Sequence, residues 1–412
     1  MLEYSRMKRN ANSLPALEGG KKQRKKFLVF GAPNLQQAEI SEVIHSMKSN
    51  WIGTGPKVFK FEEAVKKYLG AKQAVALNSC TAGLHLSLLA AGIKQGDEVI
   101  TTPMTFSATG NVIEHVGAKP VFADVEVNSM NIDPKEIRKK ITKKTKAIMV
   151  VHMAGRPVNM DEVLKIAKKH KLVVIEDAAH AFGAEYKGKK IGTIGDFTVF
   201  SFYVTKNLTT GEGGMVTLNN KAQADSIKVQ ALHGMSHDAW NRYSDAEFKH
   251  YLIVSPGYKY NMMDLQAAIG IHQLKRFTKN QKRREEIWNK YNKVFADLPV
   301  IIPSPPEPNT KHAYHLYTIL ADLDKLKVNR DTILKALKAE NIGVGVHFIA
   351  LHLHPFYSKE YKLNRGDFPN AEYISDRTIS LPFSSALSNK DVADVIQAVR
   401  KIFLYYKKLK AT

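Results

Sequence analysis

Residues 177–214 read DAAHAFGAEYKGKKIGTIGDFTVFSFYVTKNLTTGEGG. The apolar run at 173–175, just before them, predicts a buried strand that ends in Glu176 and Asp177. A second strand-like run, at 197–202, is followed by Lys206 among small and polar residues. Taken alone the pair is ambiguous, because Asp177 can cap a helix and Lys206 can be a solvated loop lysine. The same pair fits a site that needs an acid and an amine at neighbouring strand ends.

An acid and a lysine in these places are what a pyridoxal phosphate (PLP) enzyme requires. The lysine holds the aldehyde of the cofactor as a Schiff base, and the acid keeps the pyridine nitrogen protonated so that the ring accepts electrons. The glycines at 211, 213 and 214 let the backbone approach closely beside Lys206, and they do not form a dinucleotide-binding fingerprint. The pair alone does not decide between this site and the ordinary alternatives, but together with the family resemblance of the same segment it predicts PLP as the cofactor, with Lys206 and Asp177 as catalytic residues.

The same segment resembles the DegT/DnrJ/EryC1/StrS family of sugar aminotransferases, and the resemblance extends over about residues 30–401. Within the family, the likeness is greatest to the enzymes that act on UDP-4-keto-pentoses. The other stretches that carry it are WIGTGPK from Trp51, TAGLH from Thr81, GYKYN from Gly257, and GVGVHF to HPFY from Gly343. The resemblance implies an α/β fold of the aspartate-aminotransferase type (fold type I). It implies a mostly parallel seven-stranded sheet, a smaller C-terminal α+β domain, and a homodimer with shared active sites.

The chain has 412 residues, enough for a large core and two domains. We place a basic disordered tail at 1–26, a large PLP-binding domain at 27–275, and a connector helix with a small domain at 276–412. Cys80 is the only cysteine, so no intramolecular disulfide can form and a reducing compartment is expected. No apolar run has the length of a signal peptide core or a membrane span. These features predict a cytoplasmic protein.

The charge is unusual, with a formal net charge of +22 and a pI near 9.7. Such a balance raises the possibility of binding to nucleic acid or to an anionic membrane. Most lysines, however, are scattered through helix-like segments, and only KKQRKK at 21–26 forms a block. A substrate that carries a diphosphate accounts for part of the excess. We expect no specific nucleic-acid partner, and keep a nucleic-acid-binding or non-catalytic PLP-liganded regulator as the alternative.

From residue 74 onward, short strands alternate with helices, which predicts a mostly parallel sheet covered on both faces. Ligands of such sheets bind at the carboxyl ends of the strands. The residues at 78–81, 102–106, 152–155 and 177–180 fall at those ends. The pattern also predicts a helix at 36–49 with Ile40, Val43, Ile44 and Met47 on one face, one connector helix at 273–295, and a strand at 343–348.

The resemblance implies which residues bind the phosphate of the cofactor. It places the phosphate on Thr81, Ala82 and Ser201, and on an asparagine from the other subunit that is matched here by Asn261. Without the family, Ser79 or Thr81 at this position is more simply explained as the N-cap of a helix. Cys80 stands where relatives usually carry glycine or alanine, a minor departure because cysteine is also small.

Further residues are assigned to the ring and the substrate in the same way. Phe106 matches an aromatic that lies against the pyridine ring, although a core phenylalanine is the ordinary alternative. His180 matches a residue that contacts the ring hydroxyl, and a satisfied buried histidine is the alternative. His347 matches a residue near the sugar nucleotide. Tyr203 lies at a substrate-binding position where the keto-pentose enzymes tend to have histidine, which puts their specificity in doubt here.

The expected reaction moves an amino group from L-glutamate to the 4-keto group of a nucleotide-linked sugar, for cell-surface polysaccharide or lipid A (lipopolysaccharide) biosynthesis. Lys206 carries the proton between the two bound forms of the substrate. A sister branch that dehydrates keto-sugars has histidine in place of this lysine, so dehydration is disfavoured, whereas amination at C3 stays open. His347, His352 and His354 could suggest a metal site, but no carboxylate or cysteine lies beside them at ligand spacing, and we expect none.

Overall fold

The computed structural model describes residues 24–236 and 251–408. Most of the tail expected at 1–26 therefore lies outside the described residues. Arg24 lies within them, and its guanidinium pairs with Asp391 at 2.7 Å and with Asp394 at 2.8 Å. This residue is thus attached to the folded chain, although it precedes the boundary that we expected at 26.

A seven-stranded sheet forms the centre of the molecule. Its members are β1 (Gln73–Leu77), β2 (Glu98–Thr101), β3 (Lys119–Phe122), β4 (Thr145–Val151), β5 (Val173–Asp177), β8 (Phe197–Ser201) and β9 (Gly214–Leu218), while β6 (Glu185–Tyr186) and β7 (Lys189–Lys190) form a separate hairpin. The spatial order is β1-β9-β8-β5-β4-β2-β3, and β9 alone runs antiparallel to its neighbours. The predicted mostly parallel sheet of seven strands is confirmed.

Helices cover both faces of this sheet. In chain order they are α1 (Gln37–Lys48), α2 (Pro56–Leu69), α3 (Cys80–Ala90), α4 (Ser107–His115), α5 (Pro134–Lys140), α6 (Met160–His170), α7 (Lys221–Ala231) and α8 (Asp264–Lys275). Successive strand residues enter opposite layers: Val174 joins the core under α2, α6 and α8, whereas Ile175 joins the core under α3, α4 and α7. Both faces are buried, which explains why these strands are apolar runs without alternation.

The C-terminal part adds a second core. It consists of α9 (Phe277–Phe295), β10 (Val300–Ile301), β11 (Tyr317–Ala321), α10 (Arg330–Ala339), α11 (Pro355–Glu360), α12 (Pro369–Arg377), β12 (Thr378–Leu381) and α13 (Asn389–Tyr405). The strands β10, β11 and β12 form an antiparallel sheet. The prediction of a strand at 343–348 is wrong, because this stretch forms only an isolated β-bridge, between Gly345 and Ser380. Leu28 packs into this second core, far along the chain from its other members.

The connector differs from the expected single helix at 273–295, and that prediction is wrong. Helix α8 begins at Asp264 and ends at Lys275, and α9 begins at Phe277. Between them Arg276 leaves the helical path and bonds to Glu39 at 2.8 Å and to the carbonyl of Asn34 at 3.0 Å. The division into domains at 275 and 276 remains a prediction.

The helix expected at 36–49 is present as α1, but its apolar face is not buried. Ile40, Ile44 and Met47 are 49%, 44% and 59% exposed. The side that faces the rest of the chain carries Glu39, which accepts hydrogen bonds from Gln273 and Arg276. The apolar face of α1 is therefore free to contact something outside this chain.

Across the two described ranges, no helix has the length and apolar character needed to cross a membrane.

Candidate active site

Asp177 ends β5 at the carboxyl edge of the sheet. Its Oδ2 accepts a hydrogen bond from Thr109 Oγ1 at 2.7 Å, and its Oδ1 accepts one from the backbone N–H of Ala179 at 3.1 Å. Burial raises the pKa of this carboxyl, while these two donors and the nearby Lys206 act in the opposite direction. A cation placed against Asp177 would keep the carboxylate ionised.

Lys206 lies in the connection between β8 and β9, where its backbone N–H donates to the carbonyl of Tyr203 at 2.9 Å. Burial lowers the pKa of its amine to about 8, against the influence of Cys80 and Asp177, which raise it. Its Nζ has no hydrogen-bond partner among residues 24–236 and 251–408. Lys206 thus presents an amine that loses its proton far more readily than an ordinary lysine.

Cys80 lies beside both of these residues. Its Sγ is 3.9 Å from Asp177 Oδ1 and 3.7 Å from the carbonyl oxygen of Val199. Burial and the neighbouring carboxylate raise the pKa of this thiol. Cys80 therefore stays protonated beside Asp177.

The N-terminus of α3 provides the expected place for a phosphate. Ser79 caps this helix by accepting a hydrogen bond from the N–H of Ala82 at 3.1 Å, so the N-cap role considered from the sequence is present. The N–H of Thr81, in the first turn, has no acceptor within the helix. Gly214 pairs with Ser201 and lies so close to this turn that a Cβ on it would be 2.5 Å from the backbone nitrogen of Cys80. The glycine thereby brings Ser201 towards the start of α3.

Asn261 lies at the carboxyl end of β1, where it forms an isolated bridge with Leu77. Its side-chain amide donates to Thr54 Oγ1 at 2.6 Å. The stretches WIGTGPK and GYKYN are therefore joined in space, next to the N-terminus of α3.

Aromatic and histidine side chains line the other side of the edge. Phe106, just before α4, is 62% exposed and lies 6.1 Å from Phe348 between ring centroids, so it is not an ordinary core phenylalanine. His180 is buried, its ring lies 4.5 Å from that of His315, and its Nδ1 has no hydrogen-bond partner in the described chain. Burial lowers the pKa of His180 well below its usual value, so its ring is neutral.

His347 faces the same region from the C-terminal part of the chain. Its Nδ1 is 2.9 Å from Ser380 Oγ, and its ring stacks on Phe30 at 5.4 Å. Burial, with the nearby charge of Lys206, lowers the pKa of His347 to about 4, which leaves the imidazole neutral near pH 7. Tyr203 is exposed beside Lys206.

His352, which the sequence suggested as a possible metal ligand, instead pairs with Glu372 at 3.0 Å. The part of the chain described here contains no group of three or more possible metal-binding side chains.

These residues fit PLP. The unpartnered Nδ1 of His180 is a polar atom that needs a bonding partner, and the exposed ring of Phe106 offers a face for stacking. Asp177 suits a protonated pyridine nitrogen, Lys206 suits the aldehyde, and the start of α3 suits a phosphate. Four neighbours of this site were not recognised from the sequence, namely Thr109, Phe30, Asn207 and His315. Each is an ordinary residue in a loop or helix, and only the fold brings it here.

A buried acid and a lysine of lowered pKa at the carboxyl edge of a mostly parallel sheet fit the class of PLP-dependent enzymes. Residues 33–400 match the model of the DegT/DnrJ/EryC1/StrS aminotransferase family, so the chain belongs to this family. The family and the PLP dependence inferred from the sequence are confirmed.

Individual proteins that this chain resembles support its membership of the family. The spore coat polysaccharide biosynthesis protein SpsC of Bacillus subtilis is 50% identical over 92% of this chain and 98% of its own length. The putative sugar aminotransferase Spr1654 of Streptococcus pneumoniae, in its PLP-form, has a TM-score of 0.86 and 31% identity over 93% of this chain and all of that chain. PseC of Helicobacter pylori, an aminotransferase of pseudoaminic acid biosynthesis, has a TM-score of 0.85 and 31% identity over the same shares.

The lowered pKa of Lys206 gives a testable pH dependence. Only the neutral amine attacks an aldehyde, so the rate at which the cofactor-free protein combines with PLP should rise with pH and level off above about 8. The measurement is the growth of the visible absorption band after mixing, with Nα-acetyl-lysine, whose side-chain amine is free, as the control amine. A rate that still climbs steeply between pH 9 and pH 10, as for a free lysine with a pKa of about 10.4, would show that burial does not act on this amine.

Proposed function

We propose that the protein is a PLP-dependent aminotransferase that moves the amino group of L-glutamate to the 4-keto group of a nucleotide-diphosphate sugar. The observation that carries the proposal is that Lys206, with its lowered pKa, lies close enough to buried Asp177 at the carboxyl edge of the sheet for each to influence the pKa of the other. The relatives support a sugar as the acceptor, since SpsC is named for polysaccharide biosynthesis and Spr1654 is described as a putative sugar aminotransferase.

The two catalytic residues divide the work. Bound PLP supplies an aldehyde that bonds to amines and a ring that accepts electrons. Lys206 would hold the aldehyde of bound PLP and, when free of it, is the base placed to move a proton during amino transfer. Because its pKa is about 8, part of Lys206 is unprotonated at neutral pH and can act as a base. Asp177 would hold the proton on the pyridine nitrogen, with Thr109 fixing the orientation of its carboxylate.

Other side chains orient the cofactor. The N–H of Thr81 at the start of α3 and the hydroxyl of Ser201 would bind the phosphate, together with Ala82, the residue whose N–H donates to Ser79. Phe106 would offer its exposed ring to the pyridine ring. Nδ1 of His180 would bond to the ring hydroxyl, which would satisfy an atom that is otherwise buried without a partner in the described residues.

The substrate lies between the large domain and the residues of the small domain. His347 is neutral and held by Ser380, so it serves as a hydrogen-bonding group for the sugar and not as a cation for the diphosphate. Tyr203 is exposed beside Lys206 and is positioned to contact the sugar ring. The high net charge of +22 favours the approach of an anionic diphosphate. We place the enzyme in the cytoplasm, in the synthesis of a cell-surface polysaccharide or lipid A sugar.

We also propose a homodimer with shared active sites. The exposed apolar face of α1 (Ile40, Ile44 and Met47) and the exposed Phe59 on α2 form a surface that a second copy would bury. The two helices pack on α8, near the segment that carries Asn261. In such a dimer Asn261 binds the phosphate in the site of the partner.

Mixing two inactive variants tests the shared site. A Lys206→Ala protein still offers its Asn261, and an Asn261→Ala protein still offers its Lys206, so a mixed dimer has one complete site. Complete subunit exchange should restore about a quarter of the wild-type activity, whereas each variant alone stays inactive. The measurement is turnover after mixing, with exchange followed by a mass tag on one variant. Exchange without any gain in activity would mean that Asn261 serves its own subunit.

A two-step spectroscopic assay tests the function itself. Adding L-glutamate to the PLP-bound enzyme should remove its visible absorption band, and a suitable keto-sugar nucleotide should restore it. A panel of UDP- and dTDP-linked sugars with the ketone at C4 or C3 separates the main proposal from amination at C3. A protein that binds PLP but leaves the band unchanged with every amino donor and sugar would instead be a PLP-liganded regulator.

A further inference from the structure

The residue after Lys206 is fastened to the start of the small domain. Asn207 is buried, and its Nδ2 donates to the carbonyl of Ala313 at 2.6 Å. Its Oδ1 is 3.0 Å from Nδ1 of His315. Gln281 on α9 donates to the same carbonyl of Ala313 at 2.6 Å. The turn that carries Lys206, the connector helix and the first residues of the small domain therefore meet at one point.

The hydrogen bonds fix the protonation of His315. The nitrogen of the Asn207 amide is already used, so its oxygen faces His315 and can only accept. Nδ1 of His315 must then carry the proton, and the ring is neutral because burial and the nearby charges of Lys206 and Arg284 disfavour a second proton. Neither ring nitrogen has a carboxylate partner in the described residues. His315 is thus a donor with one defined orientation.

The ring of His315 also limits the ring of His180. The two rings are 4.5 Å apart with an interplanar angle of 32°. The backbone of His315 is also held in place, because its N–H donates to the carbonyl of Ala154 at 3.1 Å. A Cβ on Gly155 would lie 2.8 Å from the carbonyl of His180 and 3.2 Å from the nitrogen of His315. The backbone segments that carry His180 and His315 therefore pack closely on Gly155, with the ring of His315 beside the ring of His180.

We propose that Asn207 and His315 are positioning residues for the cofactor. Their hydrogen bond holds the turn of Lys206 against the small domain, and the ring of His315 holds His180 in the orientation in which its free Nδ1 faces the cofactor. The pair acts through Lys206 and His180 and does not touch the reacting atoms. The inference concerns PLP binding, so it stands or falls independently of which sugar the enzyme uses.

Two substitutions of His315 separate its hydrogen bond from its ring. His315→Phe keeps a ring beside His180 and removes the Nδ1–H, whereas His315→Asn places an amide nitrogen where Nδ1 was and removes the ring. Asn207→Ala removes the same bond from the other side and serves if His315→Phe does not fold. Thr217→Val is the matched control, because it removes a buried hydrogen bond, from Thr217 Oγ1 to the carbonyl of Gly192 at 2.9 Å, on a strand away from the site.

The readouts are the affinity of the full-length protein for PLP, the pH midpoint of the visible band of the PLP-bound protein, and the melting temperature. Loss of one buried hydrogen bond is expected to weaken PLP binding about fivefold and to move the midpoint by about half a pH unit or more in His315→Phe and Asn207→Ala. His315→Asn should keep the midpoint of the wild type, because its amide replaces the Nδ1–H, but it should bind PLP more weakly, because it lacks the ring that holds His180. Thr217→Val should lower only the melting temperature. A change in the melting temperature alone in His315→Phe and Asn207→Ala would overturn the proposal, as would a midpoint shift in His315→Asn equal to that in His315→Phe.

Discussion

Replacing Lys206 with alanine is expected to abolish transamination of every substrate and to remove the visible band of the cofactor. The variant loses both the covalent attachment and the base that moves the proton, and base catalysis alone is worth about 10² to 10⁴ in rate. The fold should survive, because Nζ of Lys206 makes no hydrogen bond within the described chain. Removing a buried amine also relieves the desolvation that lowers its pKa to about 8.

The experiment compares turnover, the absorption spectrum and the melting temperature of Lys206→Ala with those of the wild type. Lys189→Ala is the matched control, since Lys189 is an exposed lysine on the hairpin strand β7. The control should keep wild-type turnover and spectrum. Measurable turnover in Lys206→Ala, with a purified protein free of wild-type enzyme, would sink the assignment of the catalytic lysine.

Asp177→Asn is expected to keep the cofactor and the fold but to lose about 10² to 10³ in the rate of amino transfer. The amide still accepts a hydrogen bond from Thr109, so the position of the side chain is preserved. It carries no negative charge, so it cannot hold the proton on the pyridine nitrogen. In the wild type, burial raises the pKa of Asp177 and so disfavours its negative charge. A protonated pyridine nitrogen beside the carboxylate would offset this cost, so the two charges would stabilise each other.

The measurement for Asp177→Asn is the single-turnover rate with L-glutamate at saturating PLP. Asp196→Asn is a suitable control, because Asp196 accepts a hydrogen bond from the N–H of Val174 at 2.8 Å at the opposite end of β5 and lies away from the cofactor. A single-turnover rate for Asp177→Asn within about threefold of the wild type would mean that another group protonates the ring.

The central sheet was predictable because its strands are apolar runs followed by polar residues, as at 173–177 and 197–201. The strand β9 was not recognised, since Gly214–Leu218 is short and follows several glycines. The break at Arg276 was also missed. Arg276 is a good helix former, and it leaves the helix in order to bond to Glu39, a tertiary contact that no local pattern reveals.

The residues of the site likewise divide into those that the sequence predicted and those that only the fold brings together. Lys206 and Asp177 could be found because each lies next to a strand end in a motif of the family. Thr109, 68 residues before Asp177, becomes its partner only when α4 packs beside β5. His315 and Asn207 are 108 residues apart and meet only in the folded chain. The sequence also identified the apolar face of α1 correctly. Its residues Ile40, Ile44 and Met47 are exposed, however, and are not part of a core.

The direct test of the whole account is the transfer of nitrogen from ¹⁵N-labelled L-glutamate to a UDP-linked 4-keto sugar by the purified enzyme. The account predicts a product whose ¹⁵N is bonded to C4, detected by NMR as a coupling to the C4 carbon and its proton, and formed in equal amount with 2-oxoglutarate. Label at C3 would support the alternative ketone position. If glutamate remains unconsumed with every keto-sugar nucleotide while PLP is fully bound, the proposed reaction is contradicted.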